Sequence, residues 1–260
     1  MQQIADLNKH TIICGASIVG QRAAAELMRR KKPFILIEED EAQLKRAMMW
    51  MNPEFINQLQ RQFSSMELAD FEAYETRSVA ELASEINVIY LHAEPTNERS
   101  LLQAGIQRAS GLLTAMDDDR DNIAIILSAR DMVGKLANQS LRIVSRVSQE
   151  LNLRRVYLAG ADKVTAPNMI GGYQIADAML SPIIAEMWDE LLFRFDRRLN
   201  FAEWRADEHP GWTGRTLDAL RDGAQHLTIA LHRNGETVYT PRGDTEIAAG
   251  DILITLGKIE

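Results

Sequence analysis

The stretch TIICGASIVG, residues 11–20, decides the fold of this chain. Its first four residues form an apolar run that is typical of a buried strand, and the run ends at Gly15. Residues 21–30 follow, with small and apolar side chains on one face of a predicted helix. A strand, a glycine turn and a helix in this order are typical of a dinucleotide-type βαβ unit.

The same alternation of short apolar runs and amphipathic stretches continues through the first 167 residues. Further strands are predicted at FILI (34–37), VIYL (88–91), GLLTA (111–115), LRIV (141–144) and around 164–166. Helices are predicted at 100–107 and 121–132 between them. This pattern predicts an α/β fold, a Rossmann-like parallel sheet with helices on both faces.

The rest of the chain divides in two. Residues 173–193 form a long stretch with more apolar positions than a solvent-facing helix carries, which predicts burial against a partner subunit. From Phe201 onward, short strands and turns such as Asn234-Gly235 predict a small β-rich lobe. We therefore expect a Rossmann-like lobe at 1–167, a crossover and dimerisation helix region at 168–200, and a second lobe at 201–260.

The interval from Glu41 to Glu85 is too long for one ordinary crossover. It contains a run of Met48, Met49, Trp50 and Met51. One interpretation is an amphipathic helix with an inserted, packed extension. The other is a ligand surface built from the methionines.

Composition excludes several classes of protein. The 260 residues carry a formal charge of −8, which offers no basic platform for nucleic acid or anionic lipid. The single cysteine, Cys14, allows no internal disulfide and no multi-cysteine zinc cluster, which fits a reducing cytoplasm. No stretch approaches about 18 apolar residues, and the first ten residues lack a signal-peptide core, so we expect a cytoplasmic chain.

The glycine turn predicts a phosphate site. Gly15 fits the tight turn, Gly20 fits close packing of helix against strand, and Ser17 stands where a middle glycine is usual. Phosphate would sit on the free N–H groups of the helix N-terminus. The candidate cofactor-binding residues of the loop are Gly15, Ala16, Ser17, Ile18, Val19 and Gly20.

About 20 residues later the second strand ends in Glu38, where a carboxylate would hold ribose hydroxyls. This spacing makes Glu38 a candidate ligand-binding residue, with Glu39 beside it. Glu39 and Asp40 are equally well explained as solvated loop charges or as a helix N-cap.

The fourth strand is followed by MDDDRDN, residues 116–122. Its carboxylates are predicted to cap the next helix, to lie over the nucleotide, or to do both, and Asp117 is the candidate ligand contact. A divalent metal site is a third possibility. Arg146 follows the fifth strand and is predicted either to clamp phosphate or to form a plain surface ion pair.

The sequence contains no recognisable set of catalytic residues. The loop departs from the serine-hydrolase pattern G-x-S-x-G, no Walker lysine follows it, and the five histidines lack metal-ligand spacing. Tyr90 and His92 are the nearest proton donors for an NAD(P)-dependent oxidoreductase, the alternative of another class. We expect no enzymatic activity.

The segments TIICGASIVGQ, FILIEED, HAEPTNERSLLQAGIQRAS, MDDDRDN, RIVSRV and LAGADKVTAPNMIGG together resemble the RCK family, also called KTN or TrkA-N domains. GRTLDAL, IALHRNG and TPRGDTEIAAGDILITLG are similar to the attached RCK-C (TrkA-C) lobe. The resemblance covers nearly the whole chain except 41–85. Three departures are Ser17, Met116 where threonine is common, and Ala93-Glu94-Pro95 in place of G-D-A.

This resemblance implies a gating module for potassium flux rather than a catalyst. It implies a nucleotide (NAD, NADH, ADP or ATP) in the glycine-loop cleft, or a divalent cation such as calcium elsewhere. It also implies that Glu94 lies near the base and that Arg146 approaches the phosphates. The partners implied are a second copy of the chain, possibly an octameric ring, and a potassium channel or Trk/Ktr-type transporter pore at the inner face of the membrane, reached through residues 1–10.

Overall fold

A computed structural model describes residues 2–55, 76–136, 138, 140–192, 200–209, 211–221 and 226–257. The chain divides into two compact units, Met1–Gly171 and Gly172–Glu260. Residues 56–75, which hold part of the predicted extension, lie outside the described residues. Each unit is built around its own sheet.

The first unit contains a six-stranded sheet in which every pairing is parallel, in the order β3-β2-β1-β4-β5-β6. The strands are β1 Thr11–Cys14, β2 Phe34–Glu38, β3 Ile89–His92, β4 Gly111–Thr114, β5 Arg142–Arg146 and β6 Lys163–Thr165. The predicted Rossmann-like sheet is confirmed, with boundaries within about two residues of the apolar runs.

Helices connect these strands. They are α1 Gln2–Ala5, α2 Ile18–Arg29, α3 Glu41–Met51, α4 Val79–Glu85, α5 Glu98–Gln103, α6 Asp119–Leu136, α7 Leu153–Leu158 after a short 3-10 helix at Glu150–Asn152, and α8 Pro167–Leu180. Ser78 begins α4 with a capping box to Glu81, and Asn97 caps α5 through Arg99 N–H.

Strand alternation sends side chains into two cores, one on each face of the sheet. Ile12 and Cys14 of β1 pack in a cluster that includes Ile125 of α6, while Ile13 packs in a second cluster with α2 and α3. All three β1 side chains are completely buried. Helices on both faces follow because neither face of this sheet can be left to water.

The methionines of α3 belong to the core. Met48, Met49 and Met51 are buried, and Met48 and Met51 lie in the cluster that covers one face of the sheet. Trp50 is half-buried, with the Arg22 guanidinium 4.6 Å from its ring centroid. The helix interpretation of this run is correct for the described part, and burial excludes the methionine-lined ligand surface.

The second unit begins within α8 and continues into α9, Pro182–Leu192. The single long stretch predicted at 173–193 forms two helices. The first helix ends at Leu180, because the ring of Pro182 disfavours helical backbone at the preceding residue, Ser181. Phe193 lies outside the described residues. No helix in the described ranges combines the length and apolar character that crossing a bilayer requires.

The β-rich lobe is an antiparallel sheet in the order β7-β10-β8-β9. Its strands are β7 Asn200–Arg205, β8 His226–Arg233, β9 Glu236–Tyr239 and β10 Ile252–Gly257, with helix α10 at Leu217–Arg221. Asn234 and Gly235 both have positive φ, as a two-residue hairpin turn requires, and they join β8 to β9. Sequence reasoning predicted this hairpin but placed no strand at 200–205.

Candidate nucleotide-binding cleft

The strand order places a crevice above β1. The chain moves outward through β2 and β3 on one side and through β4, β5 and β6 on the other, so the topology reverses between β1 and β4. In open α/β sheets the loops that leave the carboxyl ends of two such strands diverge, and ligands bind in the cleft between them. The glycine turn, residues 15–17, follows β1 at this point.

At both glycines of the turn, a side chain would clash with neighbouring atoms. Gly15 has φ +100°, and a Cβ there would lie 2.8 Å from the Sδ of Met116 and 2.9 Å from the backbone of Ala115. Gly20 lies in the first turn of α2, and a Cβ there would lie 2.0 Å from the carbonyl oxygen of Gly15. The turn therefore brings the N-terminus of α2 against its own entry strand.

Ser17 caps α2. Its Oγ accepts a hydrogen bond from Gly20 N–H at 3.4 Å and donates to the carbonyl of Ala115 at 2.5 Å. The hydroxyl proton of Ser17 is thus engaged within the protein, which leaves backbone N–H groups as the donors of the turn. The N–H groups of Ile18 and Val19 belong to the first turn, where the helix itself supplies no acceptor. Ile18 is largely exposed beside them.

Glu38 ties the end of β2 to the glycine turn. Its carboxylate is 3% exposed and accepts from Ala16 N–H at 2.7 Å and from the N–H groups of Glu39 and Asp40 at 2.9 Å each. The carboxylate that the sequence predicts for ribose is already bonded to three backbone donors. A ribose hydroxyl would use a remaining lone pair or displace the contact with Ala16.

The two residues after Glu38 have different roles. Asp40 is the N-cap of α3, and hydrogen bonds from the backbone of Gln43 and Ala42 lower its pKa. Glu39 is exposed, and its backbone carbonyl accepts a hydrogen bond from His92 Nε2 at 2.8 Å. The capping interpretation therefore holds for Asp40, and Glu39 keeps a free carboxylate at the rim among the described residues.

Asp117 and Arg146 meet across the cleft. Arg146 ends β5, and its guanidinium donates to Asp117 Oδ1 at 2.7 Å, to Ser148 Oγ at 2.5 Å and to Ser17 Oγ at 3.5 Å. The Arg146 side chain is 11% exposed while that of Asp117 is 74% exposed. A largely buried cation therefore lies beside the positive end of α2, and the exposed carboxylate of Asp117 neutralises it.

The other carboxylates of the acidic run serve the fold. Asp119 is buried and accepts from Ser148 N–H at 2.7 Å, Gln149 N–H at 3.1 Å and Asn152 Nδ2 at 2.9 Å. Burial acts to raise the pKa of Asp119, but these hydrogen bonds outweigh it and the pKa is lowered. Asp119 thus fixes the loop that follows β5.

Asp118 accepts from Arg120 N–H at 2.8 Å, and its side-chain hydrogen bond to Arg120 lowers the pKa of the carboxyl to about 2. This contact is the helix-capping role predicted for the run. In the parts of the chain that the structure describes, no group of three His, Cys, Asp or Glu side chains is arranged to hold a metal ion.

Asn122 is a positioning residue that sequence reasoning did not single out. It is completely buried, its Oδ1 accepts from Met116 N–H at 3.0 Å, and its Nδ2 donates to the Met116 carbonyl at 2.9 Å. This pair holds the loop after β4 against Gly15. Its only signal in the sequence is an amide eight residues beyond the end of β4, which the fold turns toward Met116.

Glu94 lies further out along the same edge. It follows β3, is exposed, and accepts from Thr96 Oγ1 at 2.5 Å. The chain beside it is joined to β2 because Ala93 N–H donates to the Glu38 carbonyl at 3.1 Å. Tyr90 packs against the second core cluster, and the His92 ring is hydrogen-bonded to the Glu39 carbonyl. Both proton-donor candidates are therefore engaged in contacts within the protein.

Three comparisons place the chain among known proteins. The family model described as "TrkA-N domain" matches residues 11–76 and 70–167. "Potassium channel protein 1" of Methanocaldococcus jannaschii is 26% identical over 266 positions that cover 100% of this chain and 66% of that protein. "Trk system potassium uptake protein TrkA homolog" of Archaeoglobus fulgidus is 23% identical over 69% of this chain and 40% of that protein.

Among solved structures, the human SLO3 gating ring matches with a TM-score of 0.57 and 12% identity, over 96% of this chain and 44% of that one. That likeness is one of fold. The chain spans about two thirds or less of the length of these relatives. The family model covers most of the first unit and more than half of the chain, and the sheet, the glycine turn and the cleft agree with it. The chain therefore belongs to the TrkA-N family.

Proposed function

We propose that this chain is a ligand-sensing module that regulates potassium flux through a channel pore, and that its ligand is a nucleotide bound in the cleft above β1. The observation that carries the proposal is the pairing of Arg146 with Asp117 beside the capped N-terminus of α2. A buried guanidinium and a helix N-terminus together form an anion site. A phosphate group would replace the exposed Asp117 carboxylate there.

The other candidate residues fit around this phosphate position. The backbone from Gly15 to Gly20, with Ala16, Ser17, Ile18 and Val19 between, would cradle the phosphates. Glu38 would hold the ribose, and Glu39 and Glu94 would stand on the side of the base. NAD, NADH, ADP and ATP all share this phosphate and ribose chemistry, and calcium binding elsewhere is a separate expectation.

We expect an assembly of several copies of the chain to carry the effect of ligand binding to a pore. Helices α8 and α9 expose Tyr173, Ile175, Met179, Leu180 and Ile183, each by at least 66%. Such an apolar surface favours association with a second copy, as a dimer or within a ring. A nucleotide that binds one arrangement of this dimer better than another shifts the population, and the N-terminal segment would transmit the shift.

The membrane partner would be either a potassium channel or a potassium transporter. A relative that aligns over the full length of this chain is named a potassium channel protein, and one that aligns over 69% belongs to a Trk uptake system. We favour a channel, with the chain on the cytoplasmic side of the membrane. A Trk/Ktr-type transporter subunit is the alternative, and a pore reconstituted with this chain would distinguish the two by its conductance.

The test is calorimetric titration of the chain with NADH, NAD, ADP, ATP and CaCl₂. We expect at least one nucleotide to bind, and Arg146→Gln to weaken that binding by about tenfold, the loss of one charge-assisted contact. Arg142→Gln is the matched control, because Arg142 is exposed and lies at the opposite, amino-terminal end of the same strand, β5. Absence of binding by all four nucleotides at millimolar concentration, or equal loss in both variants, would overturn the proposal.

A further inference from the structure

The second unit contains a cavity that the nucleotide proposal does not use. Its volume is 390 Å³, which lies in the range of small-ligand pockets. Helix α10, strands β8 and β10, and residues 241–243 surround it, and Leu217 and Leu253 form part of its apolar wall. The described residues around the cavity all belong to this unit, so its walls come from a single folded body.

Three rings converge on this cavity. Trp204 lies 6.1 Å from Trp212 and 6.1 Å from His226, centroid to centroid, with interplanar angles of 53° and 54°. His209 stacks on one face of Trp212 at 4.3 Å, and Trp212 itself lines the cavity. Non-parallel aromatic walls of this kind form the cages that bind ammonium groups whose hydrogens are replaced by methyl groups.

The rings are held in place before any ligand arrives. Trp204 Nε1 donates to Thr255 Oγ1 at 3.0 Å, and Thr255 is buried. His226 contributes a buried Nδ1 that has no hydrogen-bond partner in the described part of the chain. The cavity wall therefore holds one buried polar atom that an occupant of the cavity would satisfy.

Two opposite charges stand at the same cavity without pairing with each other. Both carboxylate oxygens of Asp218 lie 2.2 Å from the position that a Cβ at residue 243 would take, so the carboxylate rests directly on Gly243. Asp218 has no hydrogen-bond or ion-pair partner for its carboxylate in the described ranges, and Arg215 donates only to the Ala219 carbonyl, at 2.6 Å. Separated, unpaired charges at one cavity suit a ligand that carries both signs.

We propose that this cavity binds a small zwitterion of the betaine class, with a methylated ammonium group and a carboxylate. The ammonium group would lie against Trp204 and Trp212 with Asp218 as its counter-charge. The ligand carboxylate would meet Arg215, whose planar guanidinium can donate to both oxygens. This site is independent of the nucleotide cleft, so either proposal can fail without the other.

The experiment uses the full chain and glycine betaine as the probe. The chain has four tryptophans, at positions 50, 188, 204 and 212, so its indole N–H groups give four NMR signals that single Trp→Phe variants assign. We expect glycine betaine to shift the signals of Trp204 and Trp212 and to leave those of Trp50 and Trp188 in place. Unmoved signals from Trp204 and Trp212 at about 50 mM probe, a concentration well above millimolar dissociation constants, would overturn the proposal.

Variants and partial ligands test the charges. We expect Asp218→Asn to weaken betaine binding by about tenfold. The control is Asp244→Asn, at the exposed residue directly after Gly243, which should leave betaine binding unchanged. Tetramethylammonium and acetate should each bind at least about tenfold more weakly than glycine betaine, since each lacks one charge. Equal affinity of tetramethylammonium and betaine, or equal effects of the two variants, would contradict the proposal.

Discussion

Glu38 shows how one buried carboxylate serves both the fold and the proposed ligand. It accepts hydrogen bonds from three backbone N–H groups at the ends of β1 and β2, and that of Ala16 would otherwise be buried without a partner. Its position after the second strand was predictable from spacing. The bond to Ala16 was not, because the two residues are 22 positions apart and only the parallel pairing of β1 with β2 brings them together.

At the same scale, Gly20 is a packing requirement. We expect Gly20→Ala to lower the free energy of unfolding by about 3 kcal/mol and to weaken nucleotide binding, because its Cβ would lie 2.0 Å from the Gly15 carbonyl oxygen. Urea denaturation measures the first effect and calorimetry the second. Gly134→Ala is the control: nothing lies within 4 Å of a Cβ there, so this helical position should gain about 0.5–1 kcal/mol. Similar stabilities for the two variants would contradict this account of the turn.

Asp119 predicts a pH dependence. Because its pKa is lowered in the folded chain, its contribution to stability is present above the unfolded pKa of about 4 and is lost as the pH falls through the folded value. Asp119→Asn should lower the free energy of unfolding at pH 7 by about 1–3 kcal/mol and flatten its decline in acid. Denaturation at a series of pH values measures both.

The control is Asp121→Asn in the same helical turn, whose carboxylate holds none of the three donors of the loop after β5. We expect it to change stability at pH 7 by less than about 1 kcal/mol. If Asp119→Asn keeps the acid slope of the unmodified chain, the loop contacts do not control this titration.

At the scale of the element, α8 and α9 are predictable as apolar helices but not as two separate ones. Their apolar side chains recur through the whole stretch, and a single proline decides where the first helix ends. Pro182 begins α9 and Ser181 is the break. The exposure of their apolar side chains depends on the tertiary structure, because the same sequence packed inside a larger core would be buried.

That exposure predicts the state of association. Met179 is 81% exposed and Ile183 is 82% exposed. We expect the double variant Met179→Glu, Ile183→Glu to convert a dimer or larger assembly to monomer, because charges on this surface would have to be desolvated on association. Light scattering coupled to size exclusion measures the mass. Val238→Glu on the exposed strand β9 is the control and should leave the mass unchanged.

At the scale of the whole molecule, two units with separate cores predict two independent ligand responses. A nucleotide at 100 times its dissociation constant should stabilise the first unit by about 2.7 kcal/mol. Amide hydrogen exchange should then slow in residues 11–20 and 34–40 and stay unchanged in 252–257. Glycine betaine should slow exchange in 226–231 and 252–257 instead. Uniform slowing in both units with either ligand would contradict the separation.

The sequence by itself determined the parallel sheet, the glycine turn and the β-rich lobe. These depend on local chemistry: apolar runs of strand length, glycines that alone tolerate positive φ or close packing, and the Asn-Gly turn. Only the tertiary structure decided that Asp119 holds a loop while Asp117 meets Arg146, although the two residues are only two positions apart in the chain. It also decided the aromatic cavity, because its rings come from residues up to 22 positions apart, and no local pattern records which side chains a fold will bring face to face.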